Sequence, residues 1–296
     1  MKKHSYRFSV LNLFLLIVLT AYSLLLLYML VWGLISSLKT AGDFTINTLS
    51  FPKKGWHFDN YKKAFEGIKV RLALEKGGYK EIFLIEMFGY SLLFSVGCAF
   101  FGTISPCIAG YLVAKYNKKF NHIVYAVVIF VMIVPVVGNL PSMLQVLRML
   151  GLYNTLPGIW IMKGGFAGLY FLVIYGTFKS ISWEYAEAAI IDGAGHFRIM
   201  VQIMFPLAKN TIITIFLLLF IGFWNDYQTP LIYIPNMPTA AYGLYTFINL
   251  NQMPGGYNTP PIHLAGGMLL LMPILIVFLF CKDRITGNIS VGGLKG

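Results

Sequence analysis

The chain has 296 residues, of which 57% are hydrophobic and 11% are charged, with a formal net charge of +12. A typical soluble domain carries about 25% charged residues, so the composition excludes an ordinary soluble protein and predicts a polytopic membrane protein. Basic loops facing anionic lipid account for the positive charge, and nucleic-acid binding is not expected. Cys98, Cys107 and Cys281 lie in apolar stretches without paired spacing, which indicates thiols outside any disulfide framework.

Uncharged apolar stretches predict an all-α integral membrane protein with six spans in a single domain, residues 1–296. About 20 apolar residues cross a bilayer, and the first stretch is too long for a cleavable signal peptide. The predicted spans cover about residues 10–35, 84–114, 121–147, 157–178, 207–230 and 263–281. The fourth is the least defined, because Lys163 interrupts it near one end. Five prolines punctuate residues 231–262, which predicts an exposed loop or a re-entrant cap, since unsatisfied backbone is costly in lipid.

The distribution of basic residues predicts that both termini are cytoplasmic. Short loops on the inner side are enriched in Lys and Arg, whereas the short outer loops contain only Arg148 and Lys163. The long segment 36–83, with nine basic residues, is placed outside, where long loops follow this rule poorly. The polar segment 180–206 is then cytoplasmic.

This polar segment predicts a short helix, a sharp turn and a second helix that leads into the membrane. Glu184 and Glu187 favour a helix N-terminus, and the alanines among them are strong helix formers whose small side chains permit close approach by another protein. Gly193 can adopt the left-handed conformation that ends a helix. Pro206 is tolerated in the first turn of the following helix.

The same segment resembles a known sequence signature. Glu187-Ala188-Ala189 is followed by Asp192-Gly193-Ala194 and, with nine residues between the glycine and the next block, by Ile203-Met204-Phe205-Pro206. This order resembles the Glu-Ala-Ala signature of permease subunits in bacterial ATP-binding-cassette importers, in the carbohydrate branch related to the second maltose permease. Phe205 stands where the signature usually has Leu. Similarity to that family also includes Ser36-Ser37-Leu38-Lys39, Trp224-Asn225-Asp226-Tyr227 and the Lys295-Gly296 ending, and so covers nearly the whole chain.

The resemblance implies a subunit of a larger transporter in the bacterial cell membrane. Its partners would be a second homologous permease, two cytoplasmic ATPases, an external solute-binding protein, membrane lipid and a carbohydrate substrate, namely an oligosaccharide. The ATPases would dock on the polar segment and the C-terminal tail. The residues implied in this coupling are Glu184, Glu187, Ala188, Ala189, Asp192, Gly193, Ala194, Lys295 and Gly296.

Polar groups at membrane depth are expensive to bury and commonly line a pathway. On this ground the candidate pathway residues are Asn139, Gln145, Asn225 and Asp226, and the aromatic Trp224 joins them as a ring on which a sugar could stack. Sugars stack on aromatic rings and accept hydrogen bonds, which suits this set of side chains. The alternative, in which the residues near position 225 anchor helix ends at the interface, remains open.

The sequence contains no phosphate-binding loop, no metal-ligand spacing and no nucleophile–base pair. We therefore expect no catalytic residue, no metal and no cofactor, and we expect ATP hydrolysis on partner subunits. Two alternatives remain. An ion-coupled secondary transporter would need a buried relay or an inverted repeat. A lipid-linked membrane glycosyltransferase would need clustered acidic residues at a membrane face, and Glu184, Glu187 and Asp192 could be interpreted in that way.

Overall fold

A computed structural model describes residues 10–74, 77–116, 119–134, 138–249 and 258–286, the side chains of 281–286 excepted. The helices are α1 (Val10–Ser37), α2 (Ala41–Ile46), α3 (Asp59–Gly67), α4 (Leu84–Lys115), α5 (Lys119–Ile133), α6 (Asn139–Met149), α7 (Leu156–Lys163), α8 (Leu169–Ser180), α9 (Glu184–Ile191), α10 (His196–Ile199), α11 (Phe205–Leu207), α12 (Lys209–Trp224), α13 (Gln228–Tyr233), α14 (Ala240–Asn249) and α15 (Pro260–Thr286). A π-helical stretch, Met200–Met204, joins α10 to α11. Strands β1 (Lys69–Ala73) and β2 (Tyr79–Phe83) form an antiparallel hairpin.

Helix length and apolarity mark a protein that crosses the membrane more than once. Within the described residues, Val10–Ser37, Leu84–Lys115 and Pro260–Phe280 are long and apolar enough to span a bilayer. A fourth candidate is the pair His196–Leu207 and Lys209–Trp224, which is bent by 77°. The expected count of six spans stays a prediction.

Two predicted spans differ from continuous helices. Where a span was expected at 121–147, α5 ends at Ile133, and α6 begins only after Gly138, which has φ +77°. Val134 precedes a proline in the sequence, and the residue before proline is disfavoured in a helix. In the predicted span 157–178, residues 164–168 between α7 and α8 are non-helical, and three of the five are glycine, which weakens a helix.

Two predicted loops contain regular structure. The hairpin of β1 and β2 falls within the segment 36–83, so the described chain is not purely α-helical. Helix α14 occupies part of the segment 231–262 that was expected to be an exposed loop or re-entrant cap.

The chain divides into two compact units, each with its own contacts. The first comprises residues up to Ile68 with Thr246–Met272. In it, the segment after α1 folds around buried polar groups. Lys39 is fully buried, and its Nζ donates to the carbonyl oxygens of Asn47 at 2.7 Å and Thr48 at 3.0 Å. The Asn60 amide donates to the carbonyl oxygens of Ser37 and Lys39, each at 2.8 Å. The two bonds from Asn60 satisfy backbone carbonyls at and just beyond the end of α1.

The second unit comprises Lys69–Tyr245 with the residues from Pro273 onward, and α4 is its central helix. Helices α12, α8 and α7 pack against α4. Glycines on α4 allow the close approach: a Cβ at Gly97 would lie 2.0 Å from the Trp160 indole nitrogen, and one at Gly110 would lie 2.7 Å from Ile174 Cγ2. Small residues at such contacts are typical of helix packing in membranes.

Candidate coupling surface and substrate cavity

Helix α9 has one exposed polar face and one buried face of alanines. The helix begins at Glu184, with Glu184 and Glu187 in its first turn, where carboxylates interact favourably with the helix dipole. Ala186 is fully buried and Ala189 is 8% exposed. The helical period places a different set of side chains on the opposite side, all of them exposed. We call this set the coupling face: Glu184, Glu187, Ala188 and Ile191.

A left-handed glycine ends α9. Gly193 has φ +80°. The Gly193 N–H donates to the Ile190 carbonyl at 2.9 Å, and the Ala194 N–H donates to the Ala189 carbonyl at 2.8 Å. This pair of bonds is the Schellman motif, which satisfies carbonyls at the helix end. Asp192 is the C-cap residue and is exposed.

The buried side of α9 contacts the ends of the long helices. Ala186 and Ala189 belong to a buried cluster that includes Tyr111 of α4, Phe178 of α8 and Ile215 of α12. Ala194 packs against the same cluster. The segment around α9 is therefore continuous with the core of the helix bundle.

Polar and aromatic contacts attach the segment further. The Tyr116 hydroxyl and His196 Nδ1 lie 3.0 Å apart, and the Tyr116 ring lies 5.8 Å from that of Trp183. Lys115 Nζ donates to the Ile181 carbonyl at 2.5 Å. These contacts connect the residues on both sides of α9 to the end of α4.

Large apolar side chains on this segment are exposed, and our reasoning from sequence did not single them out. Ile191 is 85% exposed and Phe197 is 75% exposed, and Tyr185 is also exposed. Their signal in the sequence was the presence of bulky apolar residues inside a polar segment. An apolar area with carboxylates beside it is typical of a protein–protein contact surface.

Pro206 lies in the first turn of the short helix α11, where it was expected from the sequence. The unexpected feature is that helical structure already begins at His196 and passes through a π-turn before α11. The Phe205 N–H donates to the Met200 carbonyl, five residues earlier. Proline lacks an N–H and clashes with the carbonyl four residues before it, and the wider π-turn accommodates this. The chain then bends by 77° between Leu207 and Lys209, where α12 begins.

A cavity of about 370 Å³ lies elsewhere in the second unit, a volume within the usual range of small-ligand sites. Asn139 and Asp226, distant in sequence, both line it. The remaining lining residues are Leu140, Met143, Met162, Lys163, Gln228, Thr229, Ile232 and Tyr233. Lys163, Gln228 and Thr229 were missing from the predicted pathway set.

The cavity combines opposite charges with neutral hydrogen-bonding groups. Asp226 caps α13: its Oδ1 accepts from the Thr229 N–H at 2.9 Å, and its Oδ2 accepts from the Thr229 hydroxyl at 2.5 Å. Lys163 Nζ lies 5.7 Å from the centroid of the Phe223 ring. With the amides of Asn139 and Gln228, these groups can donate to and accept from hydroxyls.

Three predicted pathway residues do not line this cavity. Trp224 is 5% exposed and its ring stacks on Phe88, with centroids 6.1 Å apart. The Asn225 amide donates to the Ile221 carbonyl at 2.9 Å, at the C-terminal end of α12. Gln145 is exposed on α6. The predicted tail residues Lys295 and Gly296 lie outside the described residues.

Sequence comparison links the chain to proteins of known transport systems. It is 29% identical to the melibiose/raffinose/stachyose import permease protein MelC of Bacillus subtilis, over 89% of each chain. It is 27% identical to the arabinooligosaccharides transport system permease protein AraQ of Bacillus subtilis over the full length of both. It is 25% identical to the diacetylchitobiose uptake system permease protein NgcG of Streptomyces coelicolor, over 94% of this chain and 87% of that protein.

Structural comparison identifies a similar fold. A chain from the crystal structure of a bacterial ABC transporter involved in the import of the acidic polysaccharide alginate matches with a TM-score of 0.72. The match covers 96% of this chain and 99% of the other at 20% sequence identity, which establishes likeness of fold. The profile of the binding-protein-dependent transport system inner membrane component family matches residues 107–290. This match covers more than half of the chain and confirms the resemblance seen in its Glu-Ala-Ala segment: the protein belongs to this family of membrane permeases.

Proposed function

We propose that this protein is one permease subunit of an ATP-driven importer that carries an oligosaccharide into a bacterial cell. Relatives named for the uptake of diacetylchitobiose, arabinooligosaccharides and raffinose-type sugars support the substrate class. The single observation that carries the proposal is the two-sided structure of helix α9: the coupling face is exposed, and the alanines on the opposite side of the helix are buried in the helix bundle. A partner that moves α9 would thereby move the membrane helices.

The proposed assembly contains four further components. A second homologous permease completes the pathway, two cytoplasmic ATPases supply the energy, and an external solute-binding protein delivers the sugar. Both termini and α9 are cytoplasmic in this proposal. The protein crosses the membrane six times, with the third and fourth spans formed by pairs of shorter helices. This subunit itself does not hydrolyse ATP.

The proposed docking residues have complementary roles. The exposed carboxylates of Glu184, Glu187 and Asp192 offer charge to the ATPase, whereas Ala188 lets its backbone approach closely. Ile191 supplies apolar area at the end of the coupling face, where it is 85% exposed. Ala189, Gly193 and Ala194 act indirectly, because they hold the helix end in the Schellman geometry. Lys295 and Gly296 remain proposed contacts from the sequence resemblance.

Purification of the complex tests the energy source. A tagged chain extracted from native membranes in mild detergent should retain an ATPase, and its activity should be inhibited by vanadate. Exchange of Glu187 for Lys should release the ATPase while the permease remains in the membrane. Sugar uptake that persists without ATP but requires an ion gradient would instead identify a secondary transporter.

For the substrate site, we propose that sugar hydroxyls bind in the 370 Å³ cavity beside Asn139 and Asp226. A matched pair on helix α6 tests this site. Asn139 lines the cavity, whereas Gln145 is exposed on the same helix outside it. A neutral hydrogen bond contributes about 0.5–1.5 kcal/mol, so Asn139→Ala should weaken sugar uptake about 2- to 13-fold through KM. Gln145→Ala should leave uptake unchanged, and equal effects of both variants would refute the assignment.

The sequence motif at the end of α12 requires a separate test. Asn225→Ala removes a bond to the Ile221 carbonyl, which makes a structural effect on the helix end the expected one. If Asn225→Ala reduces uptake while assembly and basal ATPase activity stay normal, Asn225 is a pathway residue. Failure to assemble with the partner permease would identify the residue as structural. Trp224 is expected to act through packing, as its ring is stacked on Phe88.

A further inference from the structure

A second cavity, of about 280 Å³, lies where three helices of the second unit end or begin. Its walls come from the last turn of α4, the first turns of α5 and the last turns of α8. Basic and aromatic side chains dominate the polar part of the lining. They are Lys115, Lys179 and His122 together with Tyr116, Tyr125 and Tyr175. Lys115 and Tyr116 also contact the segment around α9, and the other four have no role in the proposed transport function. We call this site the basic cavity.

Charge in the basic cavity is unbalanced. Its nine lining residues, all within the described part of the chain, include no Asp or Glu. An ammonium group has three N–H donors, and Lys115 uses one of them on the Ile181 carbonyl at 2.5 Å. The other two can reach a ligand. Lys179 Nζ lies 5.5 Å from the centroid of the Tyr175 ring, which holds a second ammonium group at the wall. Such a lining selects an anion.

The walls of the basic cavity are held by contacts of their own. The Asn121 amide donates to the backbone carbonyl of Tyr116 and, at 3.1 Å, to that of Leu112, which fixes the connection from α4 to α5. The rings of Tyr125 and Tyr175 lie 4.8 Å apart and connect α5 to α8. These protein contacts hold the three walls in place, and binding therefore requires little ordering of the protein.

The position of the basic cavity indicates the source of the anion. Lys115 is the last residue of α4, a helix long and apolar enough to span the bilayer, so we expect the cavity at a membrane surface, near the lipid head groups. Lysine and tyrosine are enriched at this depth. A volume of 280 Å³ is slightly below the usual range of about 300–1,000 Å³ for small-ligand sites, and it suits a phosphate group with its glycerol better than a chain of sugars.

We propose that the basic cavity binds the phosphate of an anionic phospholipid head group. The lysine ammonium groups contact the phosphate oxygens, and the tyrosine hydroxyls can donate to the same oxygens or to the glycerol. The acyl chains extend from the cavity into the bilayer beside α4. With the N-terminus inside, this lipid belongs to the cytoplasmic leaflet, where anionic lipids attract basic residues.

Lipid titration of the full chain tests the proposal. The purified protein in neutral detergent is titrated with phosphatidylglycerol and, separately, with phosphatidylcholine, and bound lipid is counted by native mass spectrometry. One lysine near a membrane surface contributes about a fivefold change in affinity for anionic lipid. We expect Lys179→Gln to lower the affinity for phosphatidylglycerol about fivefold.

Lys209→Gln is the matched control. Lys209 is the first residue of α12, is exposed, and is absent from the lining of the basic cavity. We expect this variant to bind phosphatidylglycerol as the unaltered chain does. Equal losses in both variants would show general surface attraction and overturn the proposal. A lower affinity for phosphatidylglycerol in Lys179→Gln alone, with the circular dichroism spectrum unchanged, would support it.

Two further measurements distinguish a lipid phosphate from a soluble phosphate as the ligand. Soluble glycerol phosphate at millimolar concentration should not displace bound phosphatidylglycerol, because it lacks acyl chains. Displacement of the lipid, or equal binding of phosphatidylcholine, would refute an anionic lipid as the ligand. The measurement involves neither sugar nor ATP, so its failure would leave the proposed transport function untouched.

Discussion

The left-handed turn after α9 is the most testable part of the coupling proposal. Gly193 has φ +80°, and a Cβ added there would meet no atom within 4 Å. In Gly193→Ala, strain therefore comes from the backbone alone, and an L-residue in this conformation costs about 1–2 kcal/mol. The turn is held by two backbone hydrogen bonds, each contributing about 1 kcal/mol net. Strain and stabilisation are thus of similar size, and the turn becomes only partly populated.

Weaker ATPase binding follows if the ATPase recognises only the native turn. A conformational free energy of 1–2 kcal/mol corresponds to a factor of about 5–30 in population, so the apparent Kd rises by up to that factor. The assay titrates the ATPase subunit onto the permease in detergent and measures initial uptake rates in parallel. Gly193→Val should have the larger effect, because a β-branched residue is a stronger outlier at positive φ.

A neighbouring glycine provides the control. Gly195 has φ −71° and ψ 158°, which any residue adopts, and a Cβ there also meets no atom within 4 Å. Gly195→Ala should therefore bind the ATPase almost normally. Gly193→Asn should lie between wild type and Gly193→Ala, since Asn tolerates the left-handed region better than Ala. Equal affinities for Gly193→Ala and Gly195→Ala would refute the reasoning.

Three further predictions concern topology, the hairpin and the cavity. In a background without native cysteines, a cysteine at position 196 should be labelled only from the cytoplasm and one at 59 only from outside, and labelling of 196 in intact cells by an impermeant reagent would overturn the orientation. Hydrogen bonds from Lys69 and Arg71 lower the pKa of the Glu81 carboxyl, so this stabilisation of the hairpin is present above the ordinary glutamate pKa and is lost as pH falls through the lowered value. Hydrogen exchange, corrected for intrinsic rates, should show this acid loss of protection in the unaltered chain but not in Glu81→Gln. Asp226→Asn should keep the cap on α13 and its thermal stability, whereas Asp226→Ala should lose about 1 kcal/mol of unfolding free energy.

Local rules explain why the geometry around α9 could be anticipated. The acidic first turn, the alanines and the positive φ of Gly193 each depend on residues only a few positions apart. The helical period groups the side chains of α9 into faces, but it does not decide which face is buried. What these rules could not supply was the partner surface on α4, α8 and α12, which is a matter of tertiary packing.

The substrate cavity was only partly predictable, because it is assembled from distant parts of the chain. Polarity at membrane depth identified Asn139 and Asp226 but could not show that they line one cavity, and the expectation of sugar stacking selected Trp224, which is buried in packing. Lys163 was interpreted only as an interruption near one end of the fourth predicted span. Its place in the cavity depends on the end of α7, which hydropathy over 157–178 did not predict.

The hairpin carried a signal that hydropathy obscured. Gly77 and Gly78 both have positive φ, the conformation that glycine pairs supply in tight turns. Strand β1 alternates only weakly between exposed and buried positions, and its partner is mostly exposed. A basic segment with weak alternation of buried and exposed positions is predicted to be a loop. Which residues of the two strands face each other becomes clear only from their pairing in the structure.

The position of α12 relates the two proposed sites mechanically. Its first turns lie in the cluster that buries Ala186 and Ala189, and its last turns contribute Phe220 and Trp224 to a separate cluster near Asp226. Sixteen residues of helix extend about 24 Å, so the two ends lie far apart yet are joined by one rigid element. Helix α4 packs along it and contributes to both clusters. A displacement of α9 by an ATPase would thus reach the cavity as a movement of packed helices. No chain of small local changes is required, because packed interiors resist gradual deformation.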